Sequence, residues 1–185
     1  ISDKIICPSK VMKNSLTSYI AENQLIRKKL QIEVVQLGSD YAIQKKEDRS
    51  ERVACATSSP SLLMIGSIEP HKSHAQALDA LEKLWEEGID INLSIAGKSK
   101  FQERSFIKRI NSHPFLNDKL FLIEDPSDEE VKALYTHTVG LLFLSQKEGF
   151  ALPLVEAANH NLPILCSDLP ILHEIAGRWA FYCHV

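Results

Sequence analysis

The chain has 185 residues, 44% of them hydrophobic, and its 21 basic and 24 acidic side chains leave a net charge of −3. That length fits one sizeable domain, or one domain plus a fragment of another, and the near balance of charge excludes the basic footprint of a nucleic-acid binder, so a small soluble ligand is the expected partner. No apolar run approaches the roughly 20 residues that cross a bilayer, and Cys7, Cys55, Cys166 and Cys183 lie too far apart for a CxxC metal or redox motif, with Cys7 and Cys166 reading as core residues in a reducing cytoplasm.

The sequence opens at Ile1 inside what reads as a strand, without an initiator Met, as an excised piece of a longer protein would. Asp3 to Cys7 as strand, Ser9 to Glu22 as helix and Ile32 to Leu37 as strand give a small α/β unit over residues 1–38. Residues 39–60 are highly charged and aperiodic and are expected to be a linker or hinge. Residues 61–185 then alternate. Apolar runs at Ser61 to Gly66, Ile91 to Gly97, Leu120 to Ile123, Val139 to Ser145 and Pro163 to Ser167 are apolar at successive positions, as strands covered on both faces are. Helical stripes lie between them. Ser73 with Gln76 predicts a capping box before Ala77, Leu78, Leu81, Leu84 and Trp85, with Gly88 ending that helix. Ser99 with Gln102 and Ser127 with Glu130 repeat the signal before Phe106, Ile107 and Ile110 and before Val131, Leu134 and Tyr135. The pattern predicts a Rossmann-like, doubly wound parallel α/β sheet.

In such sheets ligands bind beyond the carboxyl ends of the strands, which directs attention to two loops. Gly66 to Ser73 (GSIEPHKS) ends at a helix start, where the Lys72 ammonium and free N–H groups could converge on one anion; a solvated lysine on a turn fits the same residues, and His71 reads as an exposed loop imidazole. Ser145 to Glu156 (SQKEGFALPLVE) follows a buried strand. Gly149 permits close backbone approach, Pro153 suits the first helical turn, and the N–H groups from Gly149 to Leu152 form a second anion cradle. Glu156 has the carboxylate geometry for vicinal hydroxyls and Glu148 that for a sugar hydroxyl, although a dipole-favoured first-turn residue and a surface charge explain them equally.

The stretch SQKEGFALPLVEAANHNLPILCSDLPILHEIAG resembles the signature of family-four retaining glycosyltransferases, which have the GT-B fold. In that family two glutamates separated by seven residues enclose a Gly-Phe-Gly-Leu-Pro type sequence, and Glu148 and Glu156 reproduce the spacing. GSIEPHKSHAQAL is similar to the donor loop of bacterial mannosyltransferases, and IICPSKVMKNSL with VVQLGSD resembles the segment entering the inter-domain hinge. The resemblance implies a C-terminal, nucleotide-sugar-binding lobe. Lys72 would hold the diphosphate beside Gly66, Ser67 and His71; Glu148 would contact the donor sugar and Glu156 the ribose, with Gly149, Phe150, Ala151 and Leu152 presenting backbone amides. Lys72 and Glu148 would be the catalytic pair. Ser67 stands where many members have Arg, and His71 where the Arg-Lys version has Arg, which predicts a weaker grip on diphosphate. Ala151 replaces a usual Gly, and Asn161 stands where Gly commonly ends the helix, in a conformation Asn tolerates. Asp168 and Glu174 match the pattern but read equally well as cap and surface charge.

The expected function is hexose transfer, with retention, from a nucleoside diphosphate sugar to a saccharide or lipid-linked acceptor bound mainly by a preceding lobe. GDP-mannose is the donor that the EPHK loop favours. No metal or other cofactor is expected, and the place of action is the cytoplasm, at the inner membrane face where peripheral contact brings the full-length protein there. A non-catalytic α/β nucleotide-binding or regulatory module that has lost phosphate-binding cations is the alternative.

Overall fold

The structure, a computed structural model, describes residues 3–25, 30–38, 50–99 and 104–185. Strand β1 (Lys4–Cys7), helix α1 (Lys10–Glu22) and strand β2 (Gln31–Val34) form a two-stranded parallel unit. Helix α1 starts at Ser9, whose extended backbone lets its Oγ accept the Met12 N–H at 3.0 Å. The second strand of this unit occupies the first half of the expected Ile32 to Leu37 run and ends at Val34.

The larger unit begins with α2 (Glu51–Ala56) and carries β3 (Ser61–Ile65), α3 (His74–Glu86), β4 (Asn92–Gly97), α4 (Arg104–Asn111), β5 (Leu120–Glu124) and α5 (Asp128–His137). It continues through β6 (Gly140–Phe143), α6 (Leu152–Asn159), β7 (Ile164–Ser167), α7 (Pro170–Ala176) and β8 (Ala180–Cys183). Its six strands lie in the order β5-β4-β3-β6-β7-β8, every neighbouring pair parallel, as the doubly wound reading expected. Strand β4 is buried along its whole length, which is why its sequence shows no polar alternation. Helices α3 and α4 cover one face through Leu78, Leu81, Trp85, Phe106 and Ile110; α2, α5, α6 and α7 cover the other through Val53, Leu134, Leu154, Ala157 and Leu172. Burial of each large aliphatic side chain in these layers contributes roughly 1.5–3 kcal/mol. Gly88, at φ +82°, terminates α3, and Asn161, at φ +53°, follows α6 in the left-handed conformation expected of it. Cys7 and Cys166 are buried thiols, Cys55 is exposed, and all four cysteines are free.

Part of the expected linker belongs to the larger unit. Residues 39–49 lie outside the described residues, but Glu51–Ala56 is a helix whose Val53 and Ala56 are completely buried, so the larger unit starts by Glu51 and not at residue 61. Charge density concealed this helix, because its polar residues have distant partners. Arg52 donates through Nε to Glu130 at 2.6 Å and through Nη1 to the Glu124 carbonyl at 3.0 Å, while Nη2 pairs with the second Glu130 oxygen. Ser50 donates to Glu130 at 2.6 Å as well. Glu130 also completes the expected capping box of α5, accepting the Ser127 N–H at 2.9 Å while Ser127 Oγ accepts the Glu130 N–H at 3.3 Å. Of the other Ser-Gln pairs, Gln102 lies outside the described residues, and Ser99 donates to Glu124 at 2.7 Å.

The two units meet through an apolar contact and a carboxylate: Val11 of α1 packs against the core of the larger unit. Glu174 of α7 accepts the N–H groups of Lys10 and Val11 at 2.7 and 2.9 Å, so it caps α1 from the larger unit. Its earlier alternatives, surface charge or local cap, give way to this longer-range role.

The guanidinium of Arg52, followed by the hydroxyl of Ser50 and the Ser127 amide, pulls the Glu130 carboxyl from 4.5 down to about 2. A depressed carboxyl stabilises the fold above its unfolded pKa and loses that contribution as pH falls through its folded value. Glu130→Gln is therefore expected to cost about 2 kcal/mol at neutral pH, allowing for the partly exposed arginine. The difference from wild type in chemical denaturation should shrink as pH is lowered from 4.5 towards 2. A constant difference over that window would show that the charge of Glu130 is not what holds α2.

Candidate functional site

From β3 the chain winds through β4 to β5 on one side of the sheet, and from β6 through β7 to β8 on the other. Connections leaving adjacent strands in opposite directions open a crevice at their carboxyl ends, and β3 and β6 are that adjacent pair. The loops following them are Gly66 to Ser73 and Leu144 to Ala151, the two loops singled out in the sequence.

The first loop is held against the end of β4. Gly66 N–H donates to Ala96 O at 3.0 Å and Ile68 N–H to Lys98 O at 2.9 Å, with Ile68 wholly buried. This approach requires glycine at position 97, whose φ is +154° and where a Cβ would stand 1.7 Å from the Gly66 carbonyl oxygen. Pro70–Lys72 then forms one 3-10 turn. Ser73 differs from the sequence expectation: it sits in the left-handed region, at φ 58° and ψ 32°, and caps no helix N–H with its side chain. Its N–H closes the preceding turn onto Pro70 O at 3.2 Å, and that requirement overrides the extended backbone a capping serine needs.

Four contacts join this loop to the one after β6. Gln146 N–H donates to His71 O at 2.7 Å, Gln146 Nε2 donates to Ser73 Oγ at 3.3 Å, Lys72 Nζ pairs with Glu148 Oε1, and Lys72 Nζ lies 5.2 Å from the centre of the Phe143 ring. The lysine and glutamate side chains are only 17% and 12% exposed, so this pair is substantially desolvated and still open to the crevice. Ser67 and His71 turn to Glu69: Ser67 Oγ donates to Oε1 at 2.5 Å, and His71 Nδ1 stands 3.8 Å from Oε2. At the start of α3, burial and the nearby Lys72 charge lower the His74 pKa from 6.5 to about 4, so that ring is neutral at physiological pH. Its Nδ1 and the buried Ser145 Oγ lack hydrogen-bond partners among the described residues.

The stretch between the glutamates is less uniform than its sequence suggests. Nothing lies within 4 Å of a Cβ built on Gly149, so the protein's own packing does not demand glycine there. Phe150 and Ala151 are buried, and Leu152 is 40% exposed. Ala151 adopts φ 75° and ψ 61°, a left-handed conformation that glycine would occupy more readily, and Pro153 opens α6 as expected. Glu156 is the fifth residue of α6, one position past the first turn. Its Oε2 accepts the Tyr135 hydroxyl of α5 at 2.7 Å, in a groove lined also by Lys132, Asn159 and His160. The fold thus gathers Gly66, Ser67, His71, Lys72, Glu148 and Gly149 at one crevice and gives Glu156 a separate partner. Sequence reasoning missed Gln146 and Tyr135; the first had only its place beside the motif as a signal, and the second read as one more apolar position in a helical stripe.

The sequence model of the family described as Glycosyl transferases group 1 matches residues 45–183. The chain is 38% identical over 189 aligned residues to the serotype-specific mannosyltransferase WbdA of Escherichia coli, a match covering 98% of this chain and 23% of that protein. It is 27% identical to the GDP-mannose:cellobiosyl-diphosphopolyprenol alpha-mannosyltransferase of Xanthomonas oryzae pv. oryzae, over 64% of this chain and 31% of the relative. The chain therefore spans under a third of the length of either curated relative. In fold it is similar to Anabaena HepE in complex with UDP and glucose, with a TM-score of 0.72 at 16% identity, covering 100% of this chain and 50% of that one.

Gly97→Ala tests the close approach that shapes the crevice. The added carbon leaves the backbone no room, so the loop carrying Lys72 must shift, and thermal unfolding should reveal a loss of at least about 2 kcal/mol. A variant as stable as wild type would mean that the Gly66 to Ser73 loop is not held in this position.

Proposed function

The chain belongs to the group 1 glycosyl transferases, and on that premise we propose that it forms the donor-binding lobe of a retaining hexosyltransferase, with a nucleoside diphosphate sugar seated in the crevice between β3 and β6. The observation that carries this reading is the Lys72–Glu148 pair, which brings a cation and a carboxylate from two loops to one desolvated point at the topological switch of the sheet. In the reaction the bond between the anomeric carbon and the diphosphate breaks, a bond from that carbon to the acceptor hydroxyl oxygen forms on the same face, and the hydroxyl proton passes to the departing diphosphate. Charge develops on the departing diphosphate. Lys72, with backbone N–H groups at the start of α3, would stabilise it, and Glu148 would accept a hydroxyl of the sugar.

GDP-mannose is the donor this reading favours, supported by the EPHK loop and by the two mannosyltransferase relatives. The acceptor is a saccharide or a lipid-linked saccharide, bound by a lobe preceding this one, and the site of action is cytoplasmic. No helix among the described residues is long and apolar enough to cross a membrane. A second reading, a nucleotide-binding module without transfer activity, is favoured by the engagement of Ser67 and His71 with Glu69, since neither position adds an arginine beside Lys72. Transfer from radiolabelled GDP-mannose by the full-length protein separates the two: incorporation into saccharide supports the first, and donor binding without turnover the second.

Titration calorimetry with GDP-mannose, GDP, UDP-glucose and UDP is expected to show tightest binding for the guanosine pair. Lys72→Ala should weaken GDP by tenfold or more, about 1.4 kcal/mol, while leaving guanosine unaffected. Binding by none of the four, or identical GDP affinity in the variant, would overturn the reading. A further expectation follows from local charge, because Glu69, whose carboxylate engages Ser67 and His71, adds negative charge to the loop that carries Lys72. Glu69→Gln removes that charge and should tighten GDP about threefold at low ionic strength, the gain fading in high salt.

A further inference from the structure

We infer that Tyr135 is a positioning residue for the donor: its hydroxyl sets the carboxylate of Glu156 so that one oxygen is fixed and the other faces a ligand diol. The inference rests on the donor-site reading above. Tyr135 is 2% exposed, and its ring stacks on His160 with centroids 5.4 Å apart and planes 18° from parallel. His160 is in turn held at Nδ1, 3.3 Å from the Thr136 hydroxyl. Burial lowers the pKa of this imidazole, with Lys132 opposing its charged form and Glu156 favouring it, so the stack is a neutral one. The phenol is therefore immobile, and its O–H points at Glu156 Oε2 from 2.7 Å.

Glutamate has three side-chain torsions and would otherwise sample several carboxylate positions at the surface of α6. Donation from a fixed phenol removes much of that freedom before a ligand arrives. A carboxylate that accepts one internal hydrogen bond retains enough lone pairs for two vicinal hydroxyls. A hydrogen bond to a charged acceptor at this distance is among the stronger neutral-donor contacts. The ligand chemistry that gains from such pre-orientation is a cis-diol, as on the ribose of a nucleotide.

Calorimetry compares GDP with 2′,3′-dideoxy-GDP, and the corresponding uridine pair, on wild type, Tyr135→Phe, Glu156→Ala and the double variant. Tyr135→Phe is expected to weaken the ribonucleotide about tenfold and leave the dideoxynucleotide unchanged, and to have no further effect when Glu156 is already alanine. Equal loss for both nucleotides would assign Tyr135 to packing alone and overturn the inference, as would no loss for either. Glu156→Asp withdraws the carboxylate from the phenol without touching the buried ring, so it should reproduce the ribose-specific loss even if Tyr135→Phe fails to fold; retention of full ribose discrimination by this variant also overturns it. Wild type that binds neither ribonucleotide would instead overturn the donor-site reading itself.

Discussion

The contact between Lys72 and Glu148 is the constraint on which the site depends. Each charge has been drawn largely out of water, and each is tolerable there because the other is present. The two side chains come from loops that belong to opposite halves of the sheet and have no covalent reason to meet. Gln146 secures the same junction through the backbone of His71 and the hydroxyl of Ser73. With these contacts the crevice is a preformed feature, and its ammonium is held in place. The same pairing would set a cost for the proposed donor, because an anion bound there would have to share the lysine with a resident carboxylate or displace it.

Much of the fold was legible because buried parallel strands leave little choice of residue. The runs at β3, β4, β5, β6 and β7 are apolar at successive positions, and the helices between them carry stripes that the core confirms. The capping box of Ser127 and Glu130 was readable because both of its bonds are local. The failures share a physical cause. Ser73 offers the same local signal as Ser127, but a 3-10 turn ends on it and takes its backbone. Helix α2 is six residues long, too short to show a period, and the residue that anchors it, Glu130, lies 78 positions from Arg52 in sequence. Strand β8 is a short edge strand with Phe181 exposed, so its residues carry no pattern of burial that marks a strand.

The site divides in the same way. Lys72 and Glu148 could be located because each lies in the loop after a strand whose end marks the crevice. Gly97 could not, since its necessity arises from the carbonyl of Gly66 across the sheet, a contact visible only in three dimensions. Tyr135 was placed correctly as a buried residue and still misjudged in kind, because a periodic stripe records which residues are inside and says nothing of where a hydroxyl points. Ala151 shows the opposite case: its left-handed backbone is one that glycine adopts more readily, while its methyl joins the core under α6 and compensates part of the strain.

The seam between the small and large units has a bearing on how such a lobe changes partners over evolution. Glu174 grips α1 through main-chain amides, which every residue except proline supplies, and no residue of α1 is buried. Among the α1 side chains Val11 packs against the larger core, and the polar part of the join falls on the helix backbone, which leaves the exposed positions of α1 free to vary. On the α7 side that polar part is the work of Glu174. A recombination event, natural or engineered, that replaces everything before α1's own first turn would leave this attachment intact, making the seam a place where the chain tolerates exchange of its upstream neighbour.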